Sequence, residues 1–335
     1  MGPSLVRRRS GRPRGTGDPW TYGRLRERAA AVASRLREAG VRPGERVLVV
    51  APSVPEFAGA YYGILAAGAI AVTANTMSTR RELEYLGSDA EVAVVMGWSE
   101  IRPAPEEAAS TLGVAYWPIV DELADFMETS AGELHPSADD DTAVILYTSG
   151  TTGHPKGAQL THANLAASAS IFTEVLEVDP DDRFGTALPL FHVFGQAVVM
   201  GTALRNGASL SLLPRFDAEE LLDPVRRDKV TVLLGVPTMW NALLHSGDGT
   251  ATEDFASLRL AGSGGAALPT EMLRAFEERF GCVILEGYGL SETTGAATFN
   301  GLRRARKPAC TGIAAHLRGR GARRRRRARR HRRGG

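Results

Sequence analysis

The stretch AVILYTSGTTGHPKG, residues 143–157, joins an apolar segment to a loop of small and hydroxylated residues. Residues 143–147 predict a buried strand. The loop that follows offers either a hydroxyl or a bare backbone at every position: Thr148, Ser149, Gly150, Thr151, Thr152 and Gly153. Glycines let a backbone approach an anion closely, and successive N–H groups can form a nest around phosphate. With the positive charge of Lys156 close by, the stretch predicts a phosphate-binding loop.

A Walker A loop is the main alternative for this stretch. Its pattern, G-x-x-x-x-G-K-[ST], needs glycine at position 155 and Ser or Thr at position 157, where this chain has Pro155 and Gly157. Residues 158–161 also predict a second strand, with a helix beginning only after Thr161, whereas a Walker A loop enters its helix directly. We therefore predict a strand–turn–strand phosphate loop. A flexible Ser/Thr/Gly linker would need neither the strand before the loop nor the Pro-Lys-Gly after it.

Strands and helices alternate on both sides of this loop. Thr21 is a predicted helix cap, and Ser53 with Glu56 and Thr79 with Glu82 have the spacing of capping boxes. Apolar runs predict strands at 46–51, 69–73, 91–96, 114–120, 184–188, 209–213, 230–234, 258–261 and 283–285. This alternation predicts doubly wound parallel sheets, an α/β fold. We expect two similar lobes, residues 18–138 and 139–312, between a disordered basic start (1–17) and a disordered arginine-rich tail (313–335).

Charge is distributed unevenly along the 335 residues. Residues 318–335 hold 11 arginines and residues 1–17 hold five, and neither stretch contains an acid. Without these 16 arginines the chain has 24 basic against 38 acidic residues, so the net charge of +2 conceals a strongly acidic body. An acidic body with two basic ends does not predict a specific nucleic-acid-binding surface.

The composition and the segments of the chain also indicate where in the cell the protein is expected. Residues 57–74 are uncharged, but Gly63 and Gly68 interrupt them, so a helix followed by a buried strand is preferred over a transmembrane segment. The basic start has no apolar segment after it and does not resemble a secretory signal. Cys282 and Cys310 are too few for a disulfide framework. These features predict a cytoplasmic protein, and they set no oligomeric state.

The loop resembles the signature of the adenylate-forming, or AMP-binding, superfamily, which includes acyl-CoA synthetases, luciferases and peptide-synthetase adenylation domains. Three further segments occur in the family's order: LPLFHVFG (188–195), AGSGGAALP (261–269) and EGYGLSET (286–293). The resemblance extends from Thr21 to about Gly312. It implies the large N-terminal domain of the family, built from two similar sheet-and-helix lobes. Several phrases, such as FHVFGQ, are most similar to medium- and long-chain fatty acyl-CoA synthetases.

The resemblance implies two half-reactions, in which ATP and a small-molecule carboxylic acid give an acyl-adenylate and coenzyme A then displaces AMP. It implies that the loop and Lys156 hold the departing phosphates, that Thr148 and Glu292 hold Mg²⁺, and that Tyr288 stacks on adenine. His192 would line the acyl site and, with Lys156, is a candidate catalytic residue. The remaining candidate nucleotide-binding residues are Gly264, Gly265, Ala266, Glu286, Gly287, Gly289 and Ser291.

The resemblance stops after about Gly312. The family's ribose-binding aspartate, hinge and small final lobe with its lysine are not recognisable after that point, and the arginine-rich tail follows. We interpret the change as a truncation, with the tail as the product of a shifted reading frame. Three hypotheses about activity remain open: a fatty-acid-activating ligase, an inactive remnant that binds nucleotide, and a polyanion-binding protein that uses its tail.

Overall fold

The structure is a computed structural model that describes residues 4–8, 19–101, 103–120, 134–148, 153–246, 252–302, 306 and 310–314. Most of the predicted arginine-rich tail lies outside these residues. The strands described are β1 (Ser4–Arg8), β2 (Trp20–Thr21), β3 (Arg46–Val50), β4 (Ile70–Thr73), β5 (Val92–Trp98), β6 (Ala115–Ile119), β7 (Thr142–Thr148), β8 (Lys156–Thr161), β9 (Arg183–Thr186), β10 (Ser209–Leu212), β11 (Val232–Gly235), β12 (Leu260–Ser263), β13 (Ile284–Tyr288), β14 (Thr298–Phe299) and β15 (Ile313–Ala314).

The helices described are α1 (Tyr22–Glu38), α2 (Pro55–Ala66), α3 (Arg80–Asp89), α4 (Ala104–Leu112), α5 (His162–Leu176), α6 (Gly201–Arg205), α7 (Ala218–Asp228), α8 (Pro237–His245) and α9 (Thr270–Phe280). Short 3₁₀ turns lie at Ser99–Ile101, Thr252–Phe255 and Ser291–Thr293, and a π-helix spans Phe194–Met200. The predicted alternation of strands and helices is confirmed, with element ends that differ by a few residues.

Six strands form the first sheet, in the order β6-β5-β3-β4-β7-β8. All neighbours are parallel except β7 and β8, which pair antiparallel. The loop-bearing strand β7 therefore belongs to the first sheet, next to its edge strand β8, although residue 139 was predicted to open the second lobe. The physical reason is that β7 pairs with β4 over Ala71–Val144 to Thr73–Leu146, so the sheets divide after Thr161 instead.

Nine strands form the second sheet, in the order β15-β14-β13-β12-β11-β9-β10-β1-β2. Its centre, β9 to β13, is parallel, and antiparallel strands lie at both edges. The disorder predicted for residues 1–17 is wrong for β1, which pairs parallel with β10 and so satisfies backbone groups at that strand's edge. The tail predicted from 313 onward likewise contributes β15, which pairs with β14.

One continuous apolar cluster joins the two sheets. Val47 and Val49 of β3 contribute to it, as do β11 to β13 and the buried faces of α1, α2 and α5. Leu48 and Val50 alternate with these valines and belong to a second cluster, under α3 and α4. Burial on both faces explains why the parallel strands read as unbroken apolar runs.

Two of the three predicted helix caps are confirmed. The Thr21 side chain accepts from Arg24 N, and Thr79 with Glu82 forms a reciprocal capping box. The box predicted at Ser53 is wrong, because Val54 is the N-cap of α2 and makes no side-chain cap. The Ser53 hydroxyl instead donates to Leu188 O (3.1 Å) and accepts from Leu190 N (3.1 Å), which ties the start of α2 to the second sheet.

The uncharged run at 57–74 forms most of α2 and the strand β4, as predicted. A Cβ on Gly63 would lie 2.5 Å from Val32 Cβ, so this glycine allows the close packing of α2 against α1. None of the helices in the described ranges is long and apolar enough to cross a bilayer.

Candidate active site

A cavity of about 1440 Å³ lies where the carboxyl ends of strands from both sheets meet. Its wall contains residues that follow β3, β4, β5 and β7 of the first sheet, and β9 to β13 of the second. Ligands of open α/β sheets bind outside the carboxyl ends of the strands, so the place of this cavity is typical of a ligand site.

The hairpin formed by β7 and β8 provides one side of the cavity. Thr148 and Lys156 are Cα partners at the end of the hairpin next to its connecting loop, and Thr148 lines the cavity. Lys156 is exposed and begins a strand, while α5 begins later at His162 under a capping box of Thr161 and Asn164. The strand–turn–strand prediction is therefore confirmed, and a Walker A loop is excluded.

Four of the predicted loop residues, Ser149, Gly150, Thr151 and Thr152, lie outside the described residues, so their place in the site stays a prediction. Gly153 is described: it is exposed, its φ is +90°, and it is not part of the cavity wall. The hairpin thus contributes one wall residue among those described, Thr148, with Lys156 paired opposite it.

Backbone forms another part of the cavity wall, at a surface that we call the glycine wall: Gly264, Gly265, Gly287 and Gly289. A Cβ on Gly264 would lie 3.2 Å from the Phe194 ring. A Cβ on Gly289 would lie 2.6 Å from Ala296 Cα, closer than real Cβ atoms come. Packing leaves no room for a Cβ at Gly287 and Gly289, and the φ of +77° at Gly265 disfavours a side chain there, so much of the wall is backbone.

Glu286 and Ala266 are placed differently from the predicted nucleotide contacts. Neither is part of the cavity wall. Glu286 is 4% exposed, and its Oε1 accepts from Leu268 N at 2.9 Å. The carboxylate therefore holds the loop that follows β12, and its contribution to the site is to position Gly264 and Gly265. Ala266 is an exposed residue of the same loop.

The segment after β13 brings two predicted polar residues to the cavity. Ser291 and Glu292 lie in a 3₁₀ turn and line the wall, and this turn lies close to β8. Tyr288 is 52% exposed and is not part of the wall, because side chains alternate along a strand and its neighbours Gly287 and Gly289 face the cavity. Its predicted stacking on adenine stays a prediction.

His192 lines the cavity from the loop after β9, and its ring lies 4.5 Å from that of Phe191, centroid to centroid. The side chain is accessible to solvent within the cavity, yet protein atoms surround it closely enough that burial lowers the pKa of the imidazole. Its backbone leads into the π-helix, where Gln196 N donates to His192 O. The site therefore presents a mainly neutral imidazole at pH 7.

Several wall residues were not found from the sequence. Ser53, Asn75, Trp98, Arg215 and Met239 follow strands or lie in the first turn of a helix after one, and the signal that could have found them is that position alone. Apolar side chains form a large share of the cavity wall that His192 also lines: Phe172, Leu188, Phe191, Val193, Phe194, Val236 and Met239.

Thr148 and Glu292 fit a magnesium–nucleotide complex better than a resident metal. Among the described residues, no cluster of three or more His, Cys, Asp or Glu side chains could hold a metal ion by itself. Mg²⁺ commonly uses one or two protein oxygens together with substrate phosphates, and Thr148 and Glu292 offer such oxygens on one cavity. The glycine wall presents backbone without side chains to the same cavity.

Comparison with known proteins agrees with this geometry. The model of the family described as AMP-binding enzyme matches residues 5–319. A long-chain-fatty-acid–CoA ligase of Bacillus subtilis is 30% identical over 323 residues, covering 85% of this chain and 57% of the ligase. A feruloyl-CoA synthase of an Amycolatopsis species is 32% identical over 285 residues, covering 82% of this chain and 55% of the synthase.

The crystal structure of ATP-bound MatB from Rhodopseudomonas palustris superposes with a TM-score of 0.83 at 32% sequence identity, covering 92% of this chain and 61% of MatB. This chain thus spans a little over half the length of the curated relatives it matches. With the family model matching nearly the whole chain and two relatives at or above 30% identity, the chain belongs to the AMP-binding enzyme family.

Proposed function

We propose that this chain binds ATP with Mg²⁺ and, as the nucleotide-binding part of an acid–thiol ligase, activates a carboxylic acid to an acyl-adenylate for transfer to coenzyme A. The observation that carries the proposal is one cavity with Thr148 and Glu292 on its wall and a glycine wall lining it as well. Bound Mg²⁺ would supply charge neutralisation for the phosphates.

The residues of this chain would act by alignment and charge stabilisation. Thr148 and Glu292 would hold the metal ion, and Lys156, with the loop from Ser149 to Gly153, would hold the phosphates that leave. Gly264 and Gly265 leave room for the base and the acyl carbonyl, with Tyr288 at the rim. Glu286 keeps this glycine loop in place through Leu268 N.

The apolar surface around His192 favours an acid with a large apolar body. A mainly neutral imidazole does not demand a second negative charge on the substrate, and Phe172, Phe191 and Met239 offer apolar contacts. We propose a medium- or long-chain fatty acid first. The relatives include both a long-chain-fatty-acid ligase and a feruloyl-CoA synthase, so an aromatic acid is the second candidate.

The test is pyrophosphate release from ATP, Mg²⁺ and a panel of aliphatic and aromatic acids, together with calorimetric titration of ATP. We expect Mg²⁺-dependent binding that Glu292→Ala weakens, while Glu278→Ala, an exposed carboxylate on α9, leaves it unchanged. Binding without pyrophosphate release would support the alternative function, a nucleotide-binding chain without ligase activity. Equal binding by both variants would exclude the metal role of Glu292.

We also propose that the protein works in the cytoplasm. Cys282 is buried and Cys310 is partly buried, and neither is in a disulfide. Burial raises the pKa of the Cys282 thiol to about 12, so this cysteine is a packing residue and not a reactive one. Cell fractionation of the tagged chain would test this location.

A further inference from the structure

Helix α3 contacts the strand β7 and the residues just before β8 through side chains one helical turn apart. The Tyr85 hydroxyl donates to Pro155 O at 3.0 Å, and its ring stacks on His154 at 5.8 Å between centroids. The Tyr147 hydroxyl donates to Asp89 Oδ2 at 2.6 Å. Tyr85 and Asp89 are four residues apart, so they lie on one face of the helix.

These contacts fall next to Thr148 and Lys156, the two polar residues that flank the connecting loop of the hairpin. Tyr147 directly precedes Thr148, and Pro155 directly precedes Lys156. Thr148 and Lys156 are themselves Cα partners. Fixing the residue before each of them limits where the two backbones can lie, and therefore limits the separation of the Thr148 hydroxyl and the Lys156 ammonium group.

The helix that makes these contacts is itself fixed. Its first turn is closed by the capping box of Thr79 and Glu82, and Leu83 and Leu86 are buried in the cluster beneath it. The two tyrosine rings also meet edge to face, with centroids 6.5 Å apart. The hairpin strands are therefore held against a rigid support.

The hydrogen bond from the Tyr147 hydroxyl to Asp89 is maintained at neutral pH. Burial, the hydrogen bond to Asp89 and the charge of Asp89 all raise the pKa of Tyr147. Its hydroxyl therefore stays protonated and continues to donate to the carboxylate, and the contact with α3 does not depend on pH in the neutral range.

We propose that Tyr85, together with the Tyr147–Asp89 pair, is a positioning residue that sets the geometry of Thr148 and Lys156 for phosphate binding. This inference rests on the proposed function of the cavity. Neither tyrosine need touch the nucleotide. Loss of either contact should weaken ATP binding without changing the affinity for the acid, because the acyl part of the cavity is formed by other strands.

The substitutions are Tyr85→Phe, which keeps the ring on His154 and removes the hydroxyl, and Tyr147→Phe, which removes the bond to Asp89. Tyr22→Phe is the matched control, because the Tyr22 hydroxyl also donates to a backbone carbonyl, Ala208 O at 2.8 Å, and Tyr22 is not on the cavity wall. Calorimetry would measure the dissociation constants for MgATP and for the acid. Hydrogen exchange would follow the amides of residues 153–160.

We expect each hairpin variant to raise the dissociation constant for MgATP about threefold to tenfold, the effect of one net hydrogen bond. Exchange at residues 153–160 should also become faster. The Tyr22→Phe control should lower the melting temperature without either change. Unchanged ATP affinity in Tyr85→Phe, with a binding-competent wild type, would overturn the positioning role.

The same experiments distinguish failure of the proposed function from failure of the positioning role. A wild-type chain that binds no MgATP removes that function, and hydrogen exchange then decides on the α3 contacts alone. Exchange at residues 153–160 that is the same in Tyr85→Phe and in the wild type would show that α3 does not hold the hairpin.

Discussion

The β7–β8 hairpin and the glycine wall line the same cavity, the first with side chains and the second with backbone. The hairpin offers side chains, with the Thr148 hydroxyl on the wall and the exposed Lys156 beside it. The glycine wall offers backbone, because Gly287 and Gly289 have no room for a Cβ. One side of the site therefore depends on the chemistry of replaceable side chains, and the other depends on close packing.

Because of this difference, we expect substitutions in the hairpin to affect nucleotide binding and substitutions in the glycine wall to affect the stability of the fold. A substitution on the hairpin removes a charge from the exposed Lys156 or a hydroxyl from the half-buried Thr148, and it leaves the core intact. A substitution on the glycine wall forces atoms into occupied space, so the structure must shift before any ligand arrives. We expect the two regions to respond in opposite ways to mutation, and the following variants would break or sharpen that expectation.

Gly289→Ala should have the largest effect. The added Cβ would lie 2.6 Å from Ala296 Cα and even closer to the Gly295 carbonyl, and backbone atoms cannot rotate away as a side chain can. We expect the free energy of unfolding to fall by about 3 kcal/mol, the upper part of the range for overpacking. Urea denaturation would measure it.

The matched control is Gly301→Ala, a nearby glycine whose Cβ would meet nothing within 4 Å. That variant should stay within about 0.5 kcal/mol of the wild type, as is usual for substitutions away from packed sites. Equal stability of the two variants would show that the glycine wall is not held by packing.

Gly287→Ala should have a smaller effect, because the obstacle is a side chain. Its Cβ would lie 2.6 Å from Phe299 Cε2, with other ring atoms also close. We expect a loss of about 1–2 kcal/mol, and Phe299→Leu in the same chain should recover part of it. A double variant as unstable as the sum of the single ones would place the strain in the backbone, as at Gly289.

The fold and the hairpin could be predicted from sequence because their signals are local. The strand, the small-residue loop and the helix start after Thr161 follow each other within 20 residues, and each has a characteristic composition. The β7 pairing could not be predicted in the same way, because the partner of β7 is β4, some 70 residues earlier. Register between distant strands depends on tertiary packing that one sequence does not display.

In the candidate site, too, the features with a local sequence signal could be predicted and those set by tertiary contacts could not. Glycine and hydroxyl positions on the wall follow from motifs, but the direction of a side chain does not. Ser53 has the sequence of a helix cap, and tertiary hydrogen bonds to Leu188 and Leu190 replace that role. Glu286 lies in a predicted binding segment, yet its buried carboxylate accepts a hydrogen bond from Leu268 N and so holds the loop that follows β12.

Lys156→Ala tests the hairpin side of the comparison. A charge-assisted hydrogen bond to a phosphate contributes roughly 1.5–3 kcal/mol, so the dissociation constant for MgATP should rise about tenfold or more. Unfolding free energy should stay within about 0.5 kcal/mol, because Lys156 is exposed.

Arg274→Ala is the control for charge, since it removes an exposed cation from α9 outside the cavity. It should change neither the affinity for MgATP nor the stability. Lost stability in Lys156→Ala with unchanged affinity would reverse the assignment of roles to the two regions.

The smallest effect concerns His192, which lies near the glycine wall two residues before Phe194 and lines the cavity. Burial lowers the pKa of its imidazole in the folded chain, so below the ordinary value of 6.5 the unfolded chain binds a proton more readily. Unfolding free energy should therefore fall as the pH drops from 7 to 5. In His192→Asn, which cannot take up that proton, the decline should be shallower. Parallel curves for the two proteins in urea titrations at each pH would show that burial of the His192 ring does not contribute to the pH dependence.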